Sequence, residues 1–253
     1  MSQLFRRTAL LACTTGAILG LGACASGAAH DPAAKGAAPA ASSAAATGSA
    51  SPIPGPAAGT DGLPNGDKLN AMLLQAAALP QTLRLDATGT KSTGNGFNPP
   101  LAPSAVPAAE ACQMLGGTAW IRAAGIDGAS FAQNDYMDDS QNMFAQELNA
   151  FRGGDAQKAM AGLKQAVTGC HSFTEEQNGQ KFAVTAALKD LPGVGDEAFQ
   201  ATLTSPDWTG GTTLVAARVG SVVVTTLYND QKTTGAAGVD LTKALVKNVA
   251  AAH

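Results

Sequence analysis

Four cysteines and three histidines carry much of the chemistry open to this chain of 253 residues. Cys24 ends the run Leu21-Gly22-Ala23-Cys24, which follows a short cationic start, Arg6-Arg7, and an uncharged apolar stretch from Thr8 to Gly22. That order is the pattern of a secretory signal. The apolar stretch is too short for a transmembrane helix, which needs about 20 residues. The small residues before Cys24 fit a bacterial lipobox, in which the cysteine sulfur takes a diacylglycerol and the bond before it is cut. The expectation is a signal peptide over 1–23 and a lipidated Cys24. Two or three acyl chains, at about 0.8 kcal/mol per buried methylene, would hold the protein on a membrane. Cys13 leaves with the signal, so Cys112 and Cys170 remain for the domain, and in an exported protein they are expected to pair. Neither belongs to a closely spaced C-x-x-C of the redox-active kind, so the expected bridge is structural.

Little else reads as catalysis. The chain has no G-x-S-x-G, H-E-x-x-H, S-x-x-K or phosphate-cradling G-x-x-x-x-G-K. His30 falls in a low-complexity stretch, His171 follows Cys170, and His253 ends the chain. The acidic run from Asp135 to Asp139 does not make an EF-hand, because a loop starting at Asp138 would put Met143 at the glycine position and Asn149 at the glutamate position. Glu175-Glu176 and Asp196-Glu197 are adjacent pairs, whose side chains are expected to point apart. The chain is therefore expected not to be an enzyme and to need no cofactor or metal. Aromatic residues are few, and Trp120, Tyr136, Trp208 and Tyr228 are candidates for the wall of a ligand cleft, although such residues more often fill a core. Arg218 is a candidate for an anionic ligand, a surface ion pair being its commoner role.

The elements that would position these residues follow a change of composition. Residues 24–62 are rich in Ala, Gly, Ser and Pro without apolar periodicity, which predicts a disordered tether. Residues 63–253 have the length of one domain. Without Arg6 and Arg7 the mature chain has fourteen basic residues against nineteen acidic, a net charge of minus five. No basic footprint for nucleic acid exists. Helices are expected over 67–78, 107–115, 154–168 and 240–251. The third of these is the clearest, with Ala156, Met160, Leu163 and Val167 on one face. Strands are expected from 81–86, over 129–137 and 142–151, with a helix as the alternative for 142–151, and over 181–188, 198–203, 212–219 and 221–227, with a tight hairpin at Arg218-Val219-Gly220. Residues 88–103 read as a loop. The sum is an α+β domain with a twisted antiparallel sheet packed by helices.

The arrangement resembles the extracellular sensor domain of the mycobacterial receptor serine/threonine kinase H (PknH-like) and its stand-alone lipoprotein relatives. The matching residues are Leu79-Pro80, Arg84, Asp86, Cys112, Gly154-Asp155-Ala156, Cys170, Gly195-Asp196-Glu197-Ala198, Arg218-Val219-Gly220 and Val222 to Val224. The resemblance implies an α+β fold with a cleft for an unidentified extracellular ligand. The kinase domain carries two disulfides and this chain can form one. With no kinase module in these 253 residues, sensing would require a partner. The Ala- and Gly-rich composition suits a GC-rich actinobacterial genome. Together these readings lead to the expectation of a non-catalytic domain, binding an envelope ligand or protein, on the extracytoplasmic face of the cell membrane, the alternatives being a structural or interaction protein of the envelope without a small-molecule ligand and an enzyme of unrecognised type.

Overall fold

The computed structural model describes residues 59–177 and 179–252. The signal peptide, Cys24 and the tether up to residue 58 lie outside the described residues. The chain is already tied down near the start of this range, because Thr60 is buried and its carbonyl accepts from Leu63 N at 3.0 Å.

One eight-stranded sheet organises the described residues. Its strands are β1 (Arg84–Ser92), β2 (Ser130–Met137), β3 (Met143–Ala150), β4 (Ser172–Gln177), β5 (Gln180–Asp190), β6 (Glu197–Thr204), β7 (Gly211–Val219) and β8 (Val222–Asp230). Neighbours are antiparallel throughout, in the order β1-β2-β3-β8-β7-β6-β5-β4. The chain thus runs β1 to β3 as a meander, leaves the middle of the sheet, and restarts at the far edge with β4. A second meander returns until β8 pairs with β3. The β7–β8 turn is the two-residue loop Gly220-Ser221, with Val219 opposite Val222 and Gly220 at φ 58°. A positive φ there matches the right-handed twist of the strands and suits glycine.

Helices cover both faces. α3 (Asp155–Gly169) makes the crossover from β3 to β4, and α2 (Ala108–Met114) packs beside it. Together with a 3-10 helix, Trp120–Ala124, they bury Trp120, Leu163 and Val167 against Phe199, Leu214 and Leu227. On the other face, α1 (Gly66–Met72) and α4 (Gly238–Ala251) bury Leu69 and Leu245 against Phe144, Leu148, Val222 and Val224. Strands covered on both sides must be apolar on both sides, which is why β8 reads Val222-Val223-Val224 without alternation. Each fully buried Leu or Val adds roughly 1.5–3 kcal/mol. Cys112 of α2 and Cys170 at the end of α3 form a disulfide, Cα to Cα 5.3 Å, that ties two elements of one face.

Two expectations are corrected. The helix over 67–78 is α1 followed by a separate 3-10 turn, Ala76–Ala78, because Leu73 is extended and the Leu74 backbone is held by the Gln146 side chain. Residues 88–92 are not loop but the end of β1. The register slips between Asp86 and Lys91, and Gly89 in this bulge lies against Asp135, where a Cβ would come within 2.5 Å of the Asp135 Cβ. The edge strand β4 and the 3-10 helix at Trp120 were not expected at all. β4 escapes periodicity because its buried position, Glu175, is as polar as the exposed Thr174 and Glu176 on either side of it.

Candidate functional site: an aromatic-walled cleft and a polar cavity

The four cleft candidates do not meet. Trp120 is fully buried beneath α3, where its Nε1 donates to the Thr226 carbonyl at 3.2 Å. Tyr136 is buried on the opposite face and donates from its hydroxyl to the Leu74 carbonyl at 3.2 Å. Both are core residues whose polar atoms are satisfied, as buried Trp and Tyr require. Arg218 is engaged by two carboxylates, Asp196 at 2.8 Å and Glu197 at 2.7 Å, so its guanidinium is already paired, and this adjacent pair converges on one cation instead of pointing apart as expected. Tyr228 packs against Phe144 in the core, 6.2 Å between ring centroids. His171 is exposed.

Trp208 alone faces an open concavity. It sits in the turn between β6 and β7, where its N–H closes onto the Ser205 carbonyl at 3.1 Å. Its ring lies 6.3 Å from Phe182 of β5, tilted by 53°. These two rings wall a cavity of about 310 Å³ whose aliphatic lining includes Leu203, Leu227 and Met143. Polar groups close the rim. Glu175 of β4, directly across from Phe182 in register, is buried, whereas its neighbour Glu176 is exposed. Asn229 and Gln231 are hydrogen-bonded to each other at 2.9 Å, and the Gln231 N–H donates to the Asn142 side chain at 2.8 Å. Burial works to raise the Asp230 pKa, but hydrogen bonds from the Thr233 hydroxyl and the Lys232 and Thr233 N–H groups outweigh it, so Asp230 is held below the ordinary range. The lining includes neither histidine nor cysteine. The arrangement can hold an apolar or ring-shaped group between two aromatic faces and fix its polar edge, and it offers no paired nucleophile and base.

A second cavity, about 300 Å³, opens near the other edge of the sheet, beside the 3-10 helix. Gln133 of β2 and Glu147 of β3 are cross-strand partners, so their side chains share one face. Gln133 Nε2 donates to both oxygens of Asp135, at 2.9 and 3.1 Å, and to Thr118 at 3.0 Å. Glu147 Oε1 accepts from Asn149 at 2.7 Å. Burial raises the Glu147 pKa to about 7, opposed by the Asn149 bond, reinforced by the Asp135 charge, and opposed by Arg122 and Lys91. Burial likewise raises Asp135, against the bonds from Gln133 and Thr118.

Sequence reasoning found Trp208 but missed Phe182, Glu175 and Glu147. The signal for Glu175 is Phe173 two residues earlier, which marks the inward face of an edge strand. For Glu147 it is the stripe Glu147-x-Asn149 on a strand whose other face is Phe144 and Leu148. Among the described residues no group of acidic, histidine or cysteine side chains is placed to hold a metal ion, and no helix is long and apolar enough to cross a membrane.

No protein-family model matches the chain, and no curated protein does. Among solved structures it is similar to the extracellular domain of PknH from Mycobacterium tuberculosis, at 14% sequence identity and a TM-score of 0.49, over 73% of this chain and 95% of that one.

Proposed function

We propose that this protein is a lipoprotein, held by Cys24 on the extracytoplasmic face of the cell membrane, whose domain binds an envelope ligand or protein without catalysing a reaction. The observation that carries the binding reading is the Trp208–Phe182 cleft, with two tilted rings over an aliphatic lining and hydrogen-bonded polar groups at the rim. Such a combination, apolar walls with a few fixed polar groups, is what small-molecule sites use. A bridge between Cys112 and Cys170 suits an oxidising compartment. The anchor is supported by the order of Arg6-Arg7, the apolar stretch and Leu21-Gly22-Ala23-Cys24.

Native mass spectrometry of the full chain, extracted in detergent from envelope membranes, tests the binding reading. A discrete added mass, lost in Trp208→Ala, is the expected result. An unchanged mass together with no crosslinked envelope protein, or a turnover activity that one substitution abolishes, overturns it. For the anchor, Cys24→Ser should move the protein from the membrane to the soluble fraction, and retention on the membrane would refute lipidation.

A further inference from the structure

The cavity beside the 3-10 helix has a charge pattern that the Trp208 cleft lacks. Glu147 lines it and is 5% exposed, and its Oε2 is buried with no hydrogen-bond partner. A buried acceptor left without a donor keeps its desolvation penalty, the more so when charged, so a ligand that supplies the donor recovers that penalty. Arg122 and Lys91 also line the cavity, are exposed, and take part in no ion pair among the described residues. Asp127 stands exposed at the same cavity, and Asp135 lies behind Gln133. Ile121, Ile126 and Phe131 supply apolar wall.

This pattern selects by sign. A simple anion would meet the carboxylate of Glu147, and a simple cation would meet Arg122 and Lys91. A molecule carrying both signs satisfies both groups at once, and the volume stands near the bottom of the roughly 300–1,000 Å³ range for ligand sites, so the molecule is small.

We propose that this cavity binds a small zwitterion, its ammonium group donating to Glu147 and its carboxylate or phosphate facing Arg122 and Lys91. A free amino acid and an aminoalkyl phosphate of the lipid-headgroup kind share this chemistry. The site is separate from the Trp208 cleft and does not depend on it.

The test is isothermal titration calorimetry on the full chain in detergent, with glycine, L-alanine and O-phosphoethanolamine as probes and methylammonium and acetate as single-charge controls. At least one zwitterion should bind, and more tightly than either control. Binding limited to the amino acids assigns that source, and binding limited to O-phosphoethanolamine assigns the headgroup source. Glu147→Gln, which keeps the size and the bond to Asn149 while removing the charge, should weaken binding at least about tenfold, as loss of a buried charge partner does. Arg122→Ala, at an exposed position, should also weaken it and serves as the check if the first variant fails to fold. Affinity should rise as the pH passes upward through about 7, where Glu147 loses its proton in the field of Asp135, Asp127, Arg122 and Lys91. Absence of zwitterion binding at millimolar concentration overturns the proposal. Equal affinities in wild type and both variants, or a loss that follows Trp208→Ala instead, overturn it as well.

Discussion

Gln146 and Leu74 exchange two hydrogen bonds, Leu74 N to Gln146 Oε1 at 2.9 Å and Gln146 Nε2 to the Leu74 carbonyl at 2.8 Å. A side-chain amide in the middle of β3 thereby takes the place of a strand partner for a segment that belongs to no strand. Gln146 is fully buried, and Tyr136 adds a third bond to the same carbonyl. Gln146→Leu keeps nearly the same volume but leaves a buried N–H without an acceptor, so it should cost about 2–3 kcal/mol in urea unfolding. A cost under about 0.5 kcal/mol would mean that Leu74 finds other partners and that the amide does not fix the α1 end.

The disulfide closes a sequence separation of 58 residues. In the chain-entropy account that loop is worth about 4 kcal/mol. The double variant Cys112→Ser, Cys170→Ser should lose about that much stability and show a lower thermal midpoint, while reduced wild type should behave like it. An unchanged midpoint would show that packing of α2 against α3 holds this face without the bridge.

What the sequence made legible depended on whether a signal was local. α3 and α4 were legible because one helical face buries a simple apolar period, and β7 and β8 because Gly220 and the valine run mark a hairpin. The break at Leu73 was not, since its cause, Gln146, lies more than seventy residues away and looks like any polar residue in a strand. Strand order was equally hidden, because nothing local tells β8 to insert beside β3. For the candidate site, Trp208 was named by its type alone, while Trp120 and Tyr136, of the same type, are core. What separates them is burial, which comes from the helices packed over each face. Glu147 gave no sign of its state because a lone glutamate in a strand reads as a surface residue until the 3-10 helix covers it.

The chain has two tryptophans, and the structure gives them opposite environments, Trp120 sealed in the core and Trp208 half-buried at the cleft mouth. Acrylamide should therefore quench only part of the native emission. Trp208→Phe should remove the quenchable part and cost less than about 1.5 kcal/mol, because phenylalanine keeps an aromatic face against Phe182 and the core edge. If the emission remaining in that variant is still readily quenched, Trp120 is not sealed and the packing of the 3-10 helix against β8 is wrong.

Glu147 makes stability depend on pH in a defined direction. Its ordinary pKa of 4.5 is raised by burial to about 7, so the folded state binds the proton more tightly than the unfolded state does. The stabilisation from the protonated group is fully present below about 4.5 and is lost as the pH rises through about 7. The interval between those values corresponds to about 3 kcal/mol. Asp135, also raised by burial, acts in the same direction, so the wild-type curve alone cannot separate the two. Glu147→Gln isolates the term, because glutamine stands in for the protonated acid at every pH. The variant should match wild type at acid pH and exceed it by up to about 3 kcal/mol on the alkaline side, measured as unfolding free energy against pH. A difference that stays constant with pH would mean that Glu147 is charged in both states and that its Oε2 is solvated rather than buried.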